Sequence, residues 1–141
     1  MPSRIFETTS EADTFALGQQ LARDLHGCVL LIGNLGAGKT TLTKGIVEGL
    51  GVASGSDVTS PTFTLIHQYA ENVFHIDLYR LDEPNEVETL GLDELFDSGA
   101  LVILEWAERF PALLPAIRTE IRIDSLGDDS RRITIETLEA R

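Results

Sequence analysis

Eight consecutive residues restrict the fold more than anything else in the chain. Gly33-Asn34-Leu35-Gly36-Ala37-Gly38-Lys39-Thr40 fits G-x-x-x-x-G-K-[ST] at every fixed position. Such a loop has meaning only between a strand and a helix, and both are legible. Cys28 to Ile32 (CVLLI) is an unbroken apolar run of the kind that forms a strand buried on both faces of a parallel sheet. The segment from Gly38 to Leu50 is capable of forming a helix, with Gly51 as its C-terminal stop. Within the loop, glycines let backbone N–H groups turn inward around phosphate oxygens, and the helix N-terminus adds its positive dipole end. Lys39 is then expected to reach the terminal phosphates, and the Thr40 hydroxyl to ligate Mg²⁺.

The rest of the pattern supports an α/β domain. Arg4 to Thr8 reads as a short strand. Ser10 with Asp13 resembles a capping box, opening a helix that carries Phe15, Ala16, Leu21, Ala22 and Leu25. Thr62 to Tyr69 and Val73 to Leu78 read as strands joined by a turn at Ala70-Glu71-Asn72, which makes part of the sheet antiparallel. Pro84 suits the first residue of a helix through Leu90, and Leu92, Leu95 and Phe96 belong to another. Leu101 to Leu104 (LVIL) is a second fully apolar strand. A final hairpin places Ile117, Ile121 and Ile123 on one strand, Gly127-Asp128-Asp129 in the turn, and Ile133 and Ile135 on the return. The expected fold is a P-loop NTPase-like α/β domain with a mixed parallel and antiparallel central sheet flanked by helices. With 141 residues and no linker-like tract, residues 1–141 read as a single nucleotide-binding domain.

A phosphate loop needs an acidic group at the end of a neighbouring strand to hold Mg²⁺ or its waters. The LVIL run ends in Glu105, a departure from the usual Asp, with the chain's only tryptophan, Trp106, next. Asp77 in HIDLYR is the rival, with His75 and Tyr79 on its own face by two-residue alternation, against the plainer alternative of an exposed edge-strand Asp. Trp106 either packs near the nucleotide or belongs to ordinary packing, and Glu108 is a lesser candidate acid that competes with a plain surface charge. Thr59, Ser60 and Thr62 lie where a switch segment sits in many P-loop proteins, and compete with a plain capped turn. The histidines show no metal-ligand spacing with Cys28, which reads as a core residue.

Charge excludes one class of function. The chain carries 11 basic and 23 acidic residues, a net charge of −12, so it is a poor candidate for gripping a nucleic-acid backbone alone. Nine acidic residues and no basic one fall between Asp82 and Glu108, either a solvated face or a docking surface for a basic partner. One cysteine suits a reducing compartment. The N-terminus lacks the apolar core of a signal peptide, and no apolar run approaches the ~20 residues of a membrane span. A cytoplasmic location without membrane contact is expected.

GNLGAGKTT, SPTFTLIHQY, HIDLYRL, GLDELFD and ILEWAE follow one another in the order and approximate spacing of the TsaE family, which the chain resembles from about Gly33 to Glu108. Ala107 departs from the Pro that many members carry after EW. The resemblance implies a small bacterial P-loop ATPase that acts with TsaB and TsaD in forming threonylcarbamoyladenosine on tRNA. In such a protein ATP hydrolysis supports turnover of the complex, and tRNA is reached only indirectly through the partners. It further implies that Asn34, Leu35, Gly36, Ala37, Gly38, Lys39, Thr40 and Thr41 bind ATP beside Trp106. Thr40, Asp77 and Glu105 would hold Mg²⁺, with Asp77 and Glu105 serving catalysis. A small-molecule kinase and a nucleotide-dependent binding module without useful hydrolysis are the competing readings. No N-K-x-D guanine motif and no LSGGQ-like signature occurs, which disfavours a GTPase switch and a transporter-type ATPase.

Overall fold

The computed structural model describes residues 3–34, 36–52, 66–88 and 90–138, with only the backbone of Pro84. Leu35, Thr59, Ser60 and Thr62, together with the first half of the Thr62–Tyr69 strand, lie outside the described residues.

The strands are β1 (Ser3–Thr8), β2 (Cys28–Ile32), β3 (Ile66–Ala70), β4 (Val73–Asp77), β5 (Leu101–Glu105), β6 (Arg118–Gly127) and β7 (Ser130–Leu138). They form one sheet in the order β1-β7-β6-β2-β5-β4-β3. The middle is parallel: β2 pairs with β5 and β6, and β4 pairs with β5. The flanks are antiparallel, with β3 on β4, β6 on β7 and β1 on β7. The mixed α/β sheet expected from the sequence is therefore the one observed.

The apolar runs CVLLI and LVIL are central because both of their faces are covered. Val29, Leu31, Ile103, Ile121 and Ile123 pack under helices α1 (Glu11–Leu21) and α2 (Lys39–Leu50). On the other face, Cys28, Leu30, Ile76, Val102 and Leu104 pack against Val87 of α3 (Pro84–Glu88) and Leu92 of α4 (Leu92–Asp97). Cys28 is a core residue, and burial pushes its thiol pKa up to about 12.

Ser10 caps α1 as expected, its hydroxyl accepting from the Asp13 N–H at 3.0 Å. The buried face of α1 differs from the expected one. Thr14, Leu17, Gly18 and Leu21 face inward, while Ala16 is exposed and Phe15 half-buried. The cause is how closely α2 approaches. A Cβ on Gly45 would sit 2.1 Å from the Phe15 carbonyl oxygen, and one on Gly18 would sit 2.5 Å from the Leu42 carbonyl oxygen. The helix pair thus meets backbone to backbone, which fixes the helix that carries the phosphate loop. Two other expectations shift. Ile117 lies before β6 and is exposed, and α3 ends at Glu88 rather than Leu90.

Gly45→Ala should push the two helices apart. A loss of about 1–3 kcal/mol is expected, in line with overpacking of a close contact, read as a lower urea midpoint with an unchanged slope.

Candidate functional site

The parallel strands β2, β4 and β5 end on the same side of the sheet, where ligands of open α/β sheets bind. Their registers bring the sequence-predicted residues together. Asp77, last in β4, and Leu31 in β2 are the Cα partners of Glu105, last in β5. The phosphate loop begins directly after β2. A cleft of about 290 Å³ is lined by Gly36, Gly38, Lys39, Thr40, Thr41, Asp77, Glu105 and Trp106, and also by Glu11, Thr14, Asp129 and Arg131.

Gly38 caps α2 with φ 108° and Gly36 has φ 81°, conformations that side chains disfavour. The Leu42 N–H bonds to the Gly38 carbonyl at 3.0 Å, which starts the helix. Among the described residues no side chain caps this terminus, and no acidic residue lies in its first turn, so its N–H groups suit an anion. Lys39, the first helical residue, is buried at 5% exposure. Its ammonium lies 3.8 Å from Glu105 Oε1 and 3.9 Å from the Trp106 ring centroid, and has no hydrogen-bond partner among the described residues. Burial lowers the Lys39 pKa from its ordinary 10.5, against the opposing charges of Glu105, Glu108 and Asp77. A buried ammonium with three idle donors is costly, and phosphate oxygens are the acceptors that fit it.

Trp106 takes φ 66°, unusual outside glycine, which turns its indole over Lys39; Tyr79 packs on it at 5.0 Å between centroids. Trp106 therefore lines the cleft. Asp77 is 1% exposed on an interior strand, not an edge, and its Oδ1 accepts the Tyr79 N–H at 2.8 Å. Tyr79 itself lies beyond the end of β4 and is exposed, so it does not share the strand face with Asp77 as alternation predicted. Glu105 is 3% exposed, and its Oε2 meets His75 Nε2 at 2.5 Å. Thr40, Asp77 and Glu105 supply only oxygen donors, and few of them. That suits Mg²⁺, which retains waters and phosphate oxygens rather than filling a protein cage. Among the described residues no cluster of three or more His, Cys, Asp or Glu is placed to hold a metal by itself.

Three contributors escaped the sequence reading. His75, on the Asp77 face as strand alternation placed it, meets Glu105 of the neighbouring strand, a contact the sequence did not show. Arg131 of β7 donates from Nε to the Ala37 carbonyl at 2.7 Å and from Nη2 to the Gly36 carbonyl at 3.3 Å. Its Nη1 donates to the Asp128 and Ser130 carbonyls, both at 2.8 Å, so neutral oxygens hold a positive charge against the loop. Glu108, expected as a surface charge, has its Oε1 buried without a hydrogen-bond partner among the described residues, and its charge acts on Lys39.

The family model described as "Threonylcarbamoyl adenosine biosynthesis protein TsaE" matches residues 8–133. A relative from Bacillus subtilis (strain 168), named tRNA threonylcarbamoyladenosine biosynthesis protein TsaE, is 46% identical over 114 residues, spanning 79% of this chain and 70% of its own. One of the same name from Streptomyces coelicolor is 39% identical over 137 residues, spanning 89% and 90%. The crystal structure of YdiB from Bacillus subtilis superposes with a TM-score of 0.78 at 35% identity, covering 98% of this chain and 87% of that one. The chain belongs to the TsaE family.

The buried ammonium has a consequence for stability. The folded protein holds the Lys39 proton less tightly than the unfolded chain does. Between the lowered folded pKa and the ordinary value, the unfolded chain binds more protons, so stability rises with pH through that window. Lys39→Met removes the buried charge and keeps the length. In nucleotide-free protein it should melt above wild type at pH 7, with the gap closing as the pH nears 10.5. Melting curves across that range check this.

Proposed function

We propose that this TsaE-family protein binds ATP with Mg²⁺ at the phosphate loop and hydrolyses it within tRNA threonylcarbamoyladenosine biosynthesis. The observation that carries the reading is the Lys39 ammonium, buried at the foot of the loop without a hydrogen-bond partner among the described residues and beside two buried strand-end carboxylates. In this account the backbone from Gly36 to Gly38 wraps the phosphates, and Lys39 turns from Glu105 and the Trp106 ring to their oxygens. Mg²⁺, held by Thr40 and the acidic pair, would neutralise the charge on the phosphates. Asp77 and Glu105 divide between them the metal and the orientation of the attacking water. Trp106 covers the Lys39 side of the cleft and keeps bulk water from it.

TsaB and TsaD are the proposed partners, with hydrolysis supporting turnover of their complex in the cytoplasm. A net charge of −12 argues against direct tRNA binding, and one of the two lysines is buried in the cleft. The exposed acidic residues Glu86, Glu88 and Asp93, on α3 and α4, are the proposed docking surface. No helix among the described residues is long and apolar enough to cross a membrane. Arg131, the one arginine among the described residues lining the cleft, is tied to loop carbonyls rather than carried on a mobile lid of the kind a small-molecule kinase closes over its acceptor.

ATP turnover measured with and without TsaB and TsaD tests the reading. Orthophosphate release should rise with the pair present, and Asp77→Ala and Glu105→Ala should each lower it about 100-fold or more while nucleotide still binds. Phosphate captured on a small acceptor, or full hydrolysis by either variant, contradicts it.

A further inference from the structure

Glu105 does not end the line of side chains that starts at Lys39. Behind it, the next two strands, β4 and β3, supply polar groups in turn. His75 of β4 is fully buried, its Nε2 2.5 Å from Glu105 Oε2 and its Nδ1 3.3 Å from the hydroxyl of Tyr69 on β3. His67 stacks on Tyr69 with ring centroids 4.4 Å apart. We propose that Tyr69 and His75 form a relay that positions Glu105, fixing Oε2 and leaving Oε1 as the oxygen that works in the cleft.

Donor and acceptor accounting sets the direction. A carboxylate only accepts, so the proton between Glu105 and His75 sits on Nε2. In the neutral ring Nδ1 then accepts, and the Tyr69 hydroxyl is the donor facing it. Burial and the Glu105 charge push the Tyr69 phenol up to about 12, so it keeps its proton at neutral pH. With one oxygen bonded to a buried ring that cannot turn freely, the Glu105 carboxylate cannot rotate about its own axis. Its other oxygen lies 3.8 Å from the Lys39 ammonium, on the cleft side. When phosphate draws Lys39 away, the His75 bond still holds Glu105 in place. His75 is thus a positioning residue, and the inference rests on the ATPase reading of the cleft.

Nitrogen NMR of the full-length, nucleotide-free protein reads the ring directly. A proton on Nε2 hydrogen-bonded to Glu105 supports the relay, and an Nε2 that carries no proton overturns it. Turnover with TsaB and TsaD supplies the second readout. His75→Ala should lower kcat about 10-fold, the scale seen when a supporting partner of a site residue is lost, with ATP affinity within twofold of wild type by calorimetry. His75→Gln, which restores an N–H donor, should recover part of the loss. Wild-type turnover matched by His75→Ala overturns the relay. Absence of turnover in wild type, with the proton on Nε2, defeats the ATPase reading instead and leaves His75 a structural partner of Glu105.

Discussion

A protonated lysine held out of water with no hydrogen-bond partner among the described residues is the constraint around which the rest of the site is arranged. Lys39 cannot be buried cheaply, and the protein offsets the cost only partly. Glu105 pairs with it at 3.8 Å, beyond hydrogen-bond distance, and the Trp106 ring offers its electron-rich face. Three buried strands and a fixed helix keep the ammonium there. β2 is enclosed on both faces, and α2 is pressed against α1 at backbone contact, so the helix that begins at Lys39 is held in place. Interaction energy withheld in this way becomes available to an anion that supplies the missing acceptors.

The remaining parts act on the same point from different directions. Parallel pairing of β4 and β5 puts two carboxylates side by side at the strand ends. The C-terminal hairpin returns Arg131 to the loop, where its guanidinium ties down the Gly36 and Ala37 carbonyls. The positive φ of Trp106 is local strain stored where the indole must cover the ammonium. The antiparallel flanks thus supply loop geometry, while the parallel centre supplies the charged groups.

What the sequence made legible was local. The strand–loop–helix of the phosphate loop, the apolar strands and the hairpin turns each sit within a few contiguous residues, and the observed sheet is the expected mixed one. What it hid depends on pairing between distant segments. The His75–Glu105 contact spans 30 positions, and the Arg131–Ala37 contact spans 94. Neither leaves a periodic trace. The buried face of α1 was misjudged for a related reason. Apolar periodicity favours Phe15 and Ala16, whereas the neighbour is a helix backbone that only Gly18 and the residues beside it can meet. Glu108 looked like a surface charge because a single residue's burial depends on how the turn after β5 folds back.

Trp106 is the chain's only tryptophan and lies 3.9 Å from the Lys39 ammonium, so its emission reports where that charge sits. Titration with ATP and Mg²⁺, followed by Trp106 fluorescence with binding confirmed by calorimetry, tests the central claim most directly. As phosphate draws Lys39 off the ring, emission should change with the same dissociation constant that calorimetry gives, and Lys39→Met should show neither signal. Emission unchanged at calorimetrically saturating nucleotide, or tight ATP binding by Lys39→Met, would contradict the account.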